Sequence, residues 1–138
     1  MRPFKWLGSV AVGTPLVLAG WLWLSLFSPW TYDRPEHVAP VQEGPHHVFV
    51  YGTLTHAPVR WLAYGRTGAP EPAVLEGYRR DDLDLQEAPQ GRVEGLVLTV
   101  DQEELTRLDR YERLGIRYDR VRVTLADGRR VWAYRRRE

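Results

Sequence analysis

Glu112 is the carboxylate in this sequence whose spacing most readily lends it to chemistry. Residues Asp101 to Leu114 read as a helix. Asp101 can cap it, and Glu104 at the third helical position completes a capping-box pair. Successive residues turn by roughly 100° on an α-helix, so with Leu105 at zero, Leu108 falls near about 300° and Glu112 near about 340°. Glu112 therefore projects from inside the apolar stripe, flanked by Tyr111 and Asp109, while Glu103, Arg107 and Arg110 point to solvent. A carboxylate turned towards a core is costly unless paired or neutralised. Desolvation raises its pKa, and a carboxylate so raised suits proton transfer near neutral pH. The competing reading is structural, an ion pair with Arg120 or Arg122, and spacing leaves both open.

The elements that must hold Glu112 follow from pattern. Val48-Phe49-Val50-Tyr51 is a continuous apolar run, as in a buried central strand, and it stops at Gly52-Thr53. Residues 55–73 are weakly patterned. Ala73 to Tyr78 predicts a short strand and Leu83-Asp84-Leu85 another, with Ala88-Pro89-Gln90-Gly91 as a turn. Val93 to Val100 alternates, with apolar residues on both faces, which predicts a strand buried on both sides. Tyr118 to Leu125 and Arg129 to Tyr134 flank Ala126-Asp127-Gly128, and Asp-Gly between alternating segments signals a hairpin. The order is strand, irregular region, strands, helix, hairpin: a compact mixed α/β (α+β) domain from His47 to the C-terminus. Tyr118 and Arg120 lie two apart on a strand and share a face, so either can line a pocket or pack in the core. Trp61 and Tyr78 read as core or pocket wall.

Two motifs carry a resemblance. Val48-Phe49-Val50-Tyr51-Gly52-Thr53-Leu54 resembles the opening strand and YGTL loop of the γ-glutamylcyclotransferase-like (AIG2-like) family. Leu105-x-x-Leu108-Asp109-x-Tyr111-Glu112, followed by Tyr118-x-Arg120, resembles its second signature, and the Val93-Glu94-Gly95 strand between them also matches. The resemblance spans residues 47–134 and implies a small mixed β-barrel with flanking helices. It implies an enzyme that converts a γ-glutamyl amine or peptide into 5-oxoproline and the free amine, without metal or organic cofactor. Glu112 would then be the catalytic acid/base, and Tyr51, Gly52, Thr53 and Leu54 would bind the γ-glutamyl moiety largely through backbone groups, with Tyr118 in the substrate pocket. The loop continues Thr55-His56-Ala57-Pro58-Val59-Arg60 in place of the basic-glycine stretch often found there. The alternative keeps the family fold without the reaction: a non-catalytic module that binds a small ligand or a partner protein.

Composition removes other classes. The 19 basic and 18 acidic residues give a net charge of +1, which offers no global field for nucleic acid. The absence of cysteine removes disulfides, zinc-thiolate sites and thiol catalysis. His46 and His47 are adjacent near the start of a strand and point to opposite sides, so they do not ligate one metal together. Arg79-Arg80-Asp81-Asp82 and Arg135-Arg136-Arg137 read as solvated charge.

The N-terminus is of another kind. Trp6 to Phe27 carries no charged side chain, and a helix needs roughly 20 residues to cross a hydrocarbon core. Gly8, Gly13, Pro15 and Gly20 are tolerated in membrane helices, and Trp residues anchor at the interfaces. A cleavable signal has a shorter core and a small-residue exit; here the exit is Leu26-Phe27-Ser28-Pro29-Trp30. Residues 1–30 are therefore expected to be a retained signal anchor forming one transmembrane helix. Arg2 and Lys5 precede the span, so the N-terminus is expected in the cytoplasm and the domain outside it, in the periplasm if the source is a Gram-negative bacterium. Residues 31–46, with Pro35, Pro40 and Pro45, read as an extended linker before a domain at 47–138.

Overall fold

The structure, a computed structural model, describes residues 15–22 and 32–137. The chain divides into two units, Met1–Asp33 and Arg34–Glu138. In the first, residues 15–22 are helical. No helix among the described residues is long and apolar enough to cross a membrane. The rest of the span expected over residues 1–30 lies outside the described residues.

The second unit carries β1 (His46–Val50), a 3-10 turn (Thr53–Thr55), α1 (Ala57–Tyr64), β2 (Glu71–Asp81), β3 (Asp84–Val100), α2 (Gln102–Glu112), β4 (Tyr118–Thr124) and β5 (Arg130–Arg136). The sheet runs β2-β3-β1-β5-β4. β1 is central, antiparallel to β3 from His46↔Val100 to Val50↔Leu96, and parallel to β5 at Val48↔Trp132 and Phe49↔Ala133. A strand paired on both sides with residues packed on both faces needs an apolar run, which is why this sequence segment does not alternate. Its residues split by parity between two cores. Val48 and Val50 join Leu54, Leu98, Leu105, Leu108 and Tyr134, while Phe49 and Tyr51 join Leu75, Leu85, Val97, Val131 and Ala133.

The sheet curls. Its edge strands, β2 and β4, approach where Leu75 bridges Leu125 and the Ala126 amide donates to the Val74 carbonyl at 2.9 Å. The result is a mixed α+β half-barrel with flanking helices, where the family resemblance implied a barrel. Gly95 lets β3 cross β1 closely: a Cβ there would lie 2.3 Å from the Val50 carbonyl oxygen and 2.7 Å from the Phe49 ring.

Three elements differ from expectation. β3 is one strand through Ala88–Gly91, and the chain reverses at Asp82–Leu83 instead. The pairing jumps from Glu76↔Arg92 to Tyr78↔Glu87, so the turn-forming residues swell into a bulge without reversing the chain. The weakly patterned stretch after the YGTL loop holds α1, begun by proline in its first turn and ended by Gly65 at φ 93°; Trp61 on it is exposed, neither core nor wall. The stretch read as a linker packs on the domain from Arg34 onward: Val41 is buried in the first core, and its carbonyl accepts from Gln102 Nε2 at 2.9 Å.

Candidate active site

α2 positions the site. Asp101 accepts from the Glu104 amide at 2.8 Å, and Glu104 Oε1 accepts from the Asp101 amide at 3.1 Å, closing the expected capping box. Leu105 and Leu108 are fully buried. Arg113 ends the helix at φ 55°, which makes Glu112 its last residue.

Asp109 is fully buried and saturated. Tyr134 Oη donates to its Oδ1 at 2.6 Å, Arg120 Nε donates to Oδ1 at 3.1 Å, and Arg34 Nη1 donates to Oδ2 at 3.3 Å. Arg120 therefore pairs with Asp109, while Arg122 lies 3.9 Å from the Trp132 ring centroid. Glu112 makes no ion pair among the described residues. Its carboxyl is pushed up to about 7, first by burial and then by the negative charge of Asp109.

Four tyrosine hydroxyls feel that carboxylate, Tyr134 among them. Burial, with the Glu112 charge as a further cause, pushes up the hydroxyls of Tyr51, Tyr111 and Tyr118. Tyr111 Oη and Thr53 Oγ1 share a hydrogen bond of 2.7 Å, which ties the helix end to the loop after β1. Tyr51 Oη donates to the carbonyls of Tyr134 at 2.8 Å and Leu83 at 3.3 Å. Tyr118 Oη donates to the same Leu83 carbonyl at 3.0 Å. Tyr51, Thr53, Tyr118 and Glu112 thus come together.

Leu54 differs. Its side chain is buried in the core, so only its backbone can face a ligand. The first amides of a helical turn have no partner within it, and those of Thr53 and Leu54 have no acceptor among the described residues. Gly52 precedes them, and its carbonyl accepts from Thr55 Oγ1 at 2.7 Å. The loop accordingly offers backbone donors, and the Thr53–Tyr111 bond ties it to the helix end that carries Glu112.

Several contributors escaped the sequence reading. Arg34 comes from the stretch read as a linker, and Tyr134 from the far strand of the hairpin; its parity with Trp132 on β5 was the available signal. Leu83 comes from the β2–β3 turn. Among the described residues no three His, Asp or Glu side chains are grouped to hold a metal. His46 Nε2 contacts the Gln42 carbonyl, and His47 Nδ1 contacts Thr99 Oγ1.

A half-barrel with a half-buried carboxylate at a helix end, beside a loop of backbone donors, defines the class. Residues 48–138 match the family described as gamma-glutamyl cyclotransferase, AIG2-like, and the chain belongs to that family. Protein AIG2 C of Arabidopsis thaliana is 38% identical over 85 residues, covering 56% of this chain and 50% of that protein. The chain thus spans about half the length of this curated relative. The solution structure of another Arabidopsis thaliana protein is 31% identical with a TM-score of 0.59, over 72% of this chain and 66% of that one. A structure named gamma-glutamyl cyclotransferase, 16% identical over 69% of this chain and 68% of its own, shares the fold at a TM-score of 0.54.

Proposed function

We propose that this chain is a γ-glutamylcyclotransferase, with Glu112 as general base and then general acid. The carrying observation is the Glu112 carboxyl, raised to about 7 and walled by tyrosines beside the Tyr51–Leu54 loop. Family membership supports a γ-glutamyl substrate. The α-ammonium of such a substrate is no nucleophile until it loses a proton. Glu112 accepts that proton; the free amine attacks the γ-carbonyl, and a five-membered lactam forms. As the γ-amide bond breaks, Glu112 returns that proton to the leaving nitrogen, and the second proton, shed by the attacking nitrogen as it becomes the lactam N–H, passes by the same carboxylate to the released amine, giving 5-oxoproline and an ammonium. A group with pKa near the working pH performs both transfers. The attack is intramolecular, so holding the chain folded back supplies much of the acceleration. The amides of Thr53 and Leu54 are suited to holding a carboxylate or the developing oxyanion, where preorganised donors count most.

The test is 5-oxoproline release from a panel of γ-glutamyl amines. Wild type turns over at least one, and Glu112→Gln loses about 10²–10⁴-fold in kcat while the fold persists by circular dichroism. A folded wild type that releases none from any member of the panel sinks the reading in favour of a binding module.

A tether is a separate proposal. The uncharged run from Trp6 to Phe27 supports one membrane helix, with the domain on the extracytoplasmic side.

A further inference from the structure

Leu83 sits at the tip of the β2–β3 turn, beyond both sequence motifs. Its carbonyl accepts from Tyr51 Oη at 3.3 Å and Tyr118 Oη at 3.0 Å, two of the four tyrosines that feel the Glu112 charge. Its Cδ2 lies 3.5 Å from where a Cβ on Gly52 would stand, so the side chain rests against the substrate-loop backbone. The following residue is fastened as well: Asp84 Oδ1 accepts from the Leu85 and Arg136 amides at 2.8 and 2.9 Å. Yet Leu83 remains 41% exposed. An apolar side chain held against the substrate-loop backbone, and left partly open, is positioned to meet a ligand bound by that loop.

Chemistry says which part of the ligand it meets. The γ-glutamyl head carries an ammonium and a carboxylate, and a leucine side chain satisfies neither. The variable part of the substrate is the substituent on the leaving nitrogen. We infer that Leu83 is a specificity-determining contact for the leaving amine, and that the site favours amines bearing an aliphatic or aromatic substituent. This rests on the cyclotransferase reading above. The ring of Tyr118, fixed by its bond to the Leu83 carbonyl, completes the apolar wall. Tyr51, packed in the core, acts here as a positioning residue for Leu83.

The experiment uses the full chain with γ-glutamylleucine, γ-glutamylphenylalanine and γ-glutamylglycine, comparing wild type, Leu83→Ala and Leu83→Met. Wild type prefers the leucine and phenylalanine amides. In Leu83→Ala the ratio of kcat/KM for γ-glutamylleucine over γ-glutamylglycine falls about tenfold, mainly through KM, as expected for a lost apolar contact. In Leu83→Met, which conserves volume, the ratio holds to about twofold. An unchanged ratio in Leu83→Ala overturns the inference and leaves the reaction standing. So does an equal fall on all three substrates, which marks Leu83 as structural. No product from wild type on any of the three overturns the inference, and the reaction on which it rests falls with it only when the wider panel of γ-glutamyl amines also yields none.

Discussion

At the scale of the residue, Asp109 and Glu112 are both turned inward from α2 and meet opposite conditions. Asp109 has three donor residues and no exposure; Glu112 has no ion pair among the described residues and feels the Asp109 charge. The folded state raises Glu112 from an ordinary 4.5 to about 7, so it binds that proton more tightly than the unfolded chain does. Linkage then fixes the sign: this contribution to stability is complete below about 4.5 and is lost as pH rises through about 7. Melting temperatures of wild type should therefore fall relative to Glu112→Gln between those values, and the gap should stop widening above them. A gap constant with pH would mean that Glu112 is not raised. Asp109→Asn removes the charge that helps hold Glu112 up. The acidic limb of kcat/KM, expected near 7, should move to lower pH in this variant. The same substitution strands Arg34 and Arg120 and should cost about 3–5 kcal/mol in urea denaturation.

At the scale of the element, local signals were readable and non-local ones were not. The start of α2 was legible because its capping box is a four-residue pattern, which the structure closes with two bonds; its end, read at Leu114, falls two residues earlier at Glu112, where Arg113 turns left-handed. Asp101→Ala should cost about 1 kcal/mol of stability by chemical denaturation. The β4–β5 hairpin was legible from Asp127-Gly128. Gly128 takes φ 91°, and its amide donates to the Leu125 carbonyl at 2.9 Å. The turn placed at Ala88–Gly91 failed for a tertiary reason. β3 pairs with β2 on both sides of a bulge there, because the chain has already reversed at Asp82, φ 55°. Composition marks a break in the ladder but not which break. Gly95 could be seen as a glycine in a strand; the Val50 carbonyl it must clear could not. Gly95→Ala should destabilise through a clash at the sheet centre, lowering the urea midpoint with the slope unchanged.

At the scale of the whole molecule, the site is assembled from segments far apart in sequence, and this limited what could be read. Glu112 and the Tyr51–Leu54 loop were named from motifs, but Arg34 reaches Asp109 across 75 residues, and no local pattern predicts that pair. The prolines at 35, 40 and 45 suggested reach; Val41 in the core shows that they also serve packing. The apolar N-terminal run belongs to the other unit and obeys other physics. An uncharged stretch from Trp6 to Phe27 has little reason to persist in water, since no polar face relieves its exposure. If it spans a bilayer, the full chain should resist carbonate and high salt and yield to detergent, and a reporter fused after the C-terminus should be active outside the cytoplasm. Release by carbonate would remove the span. A mature chain beginning between residues 28 and 32 would convert the anchor into a cleaved signal, leaving the catalytic proposal intact, since its named groups begin at Tyr51.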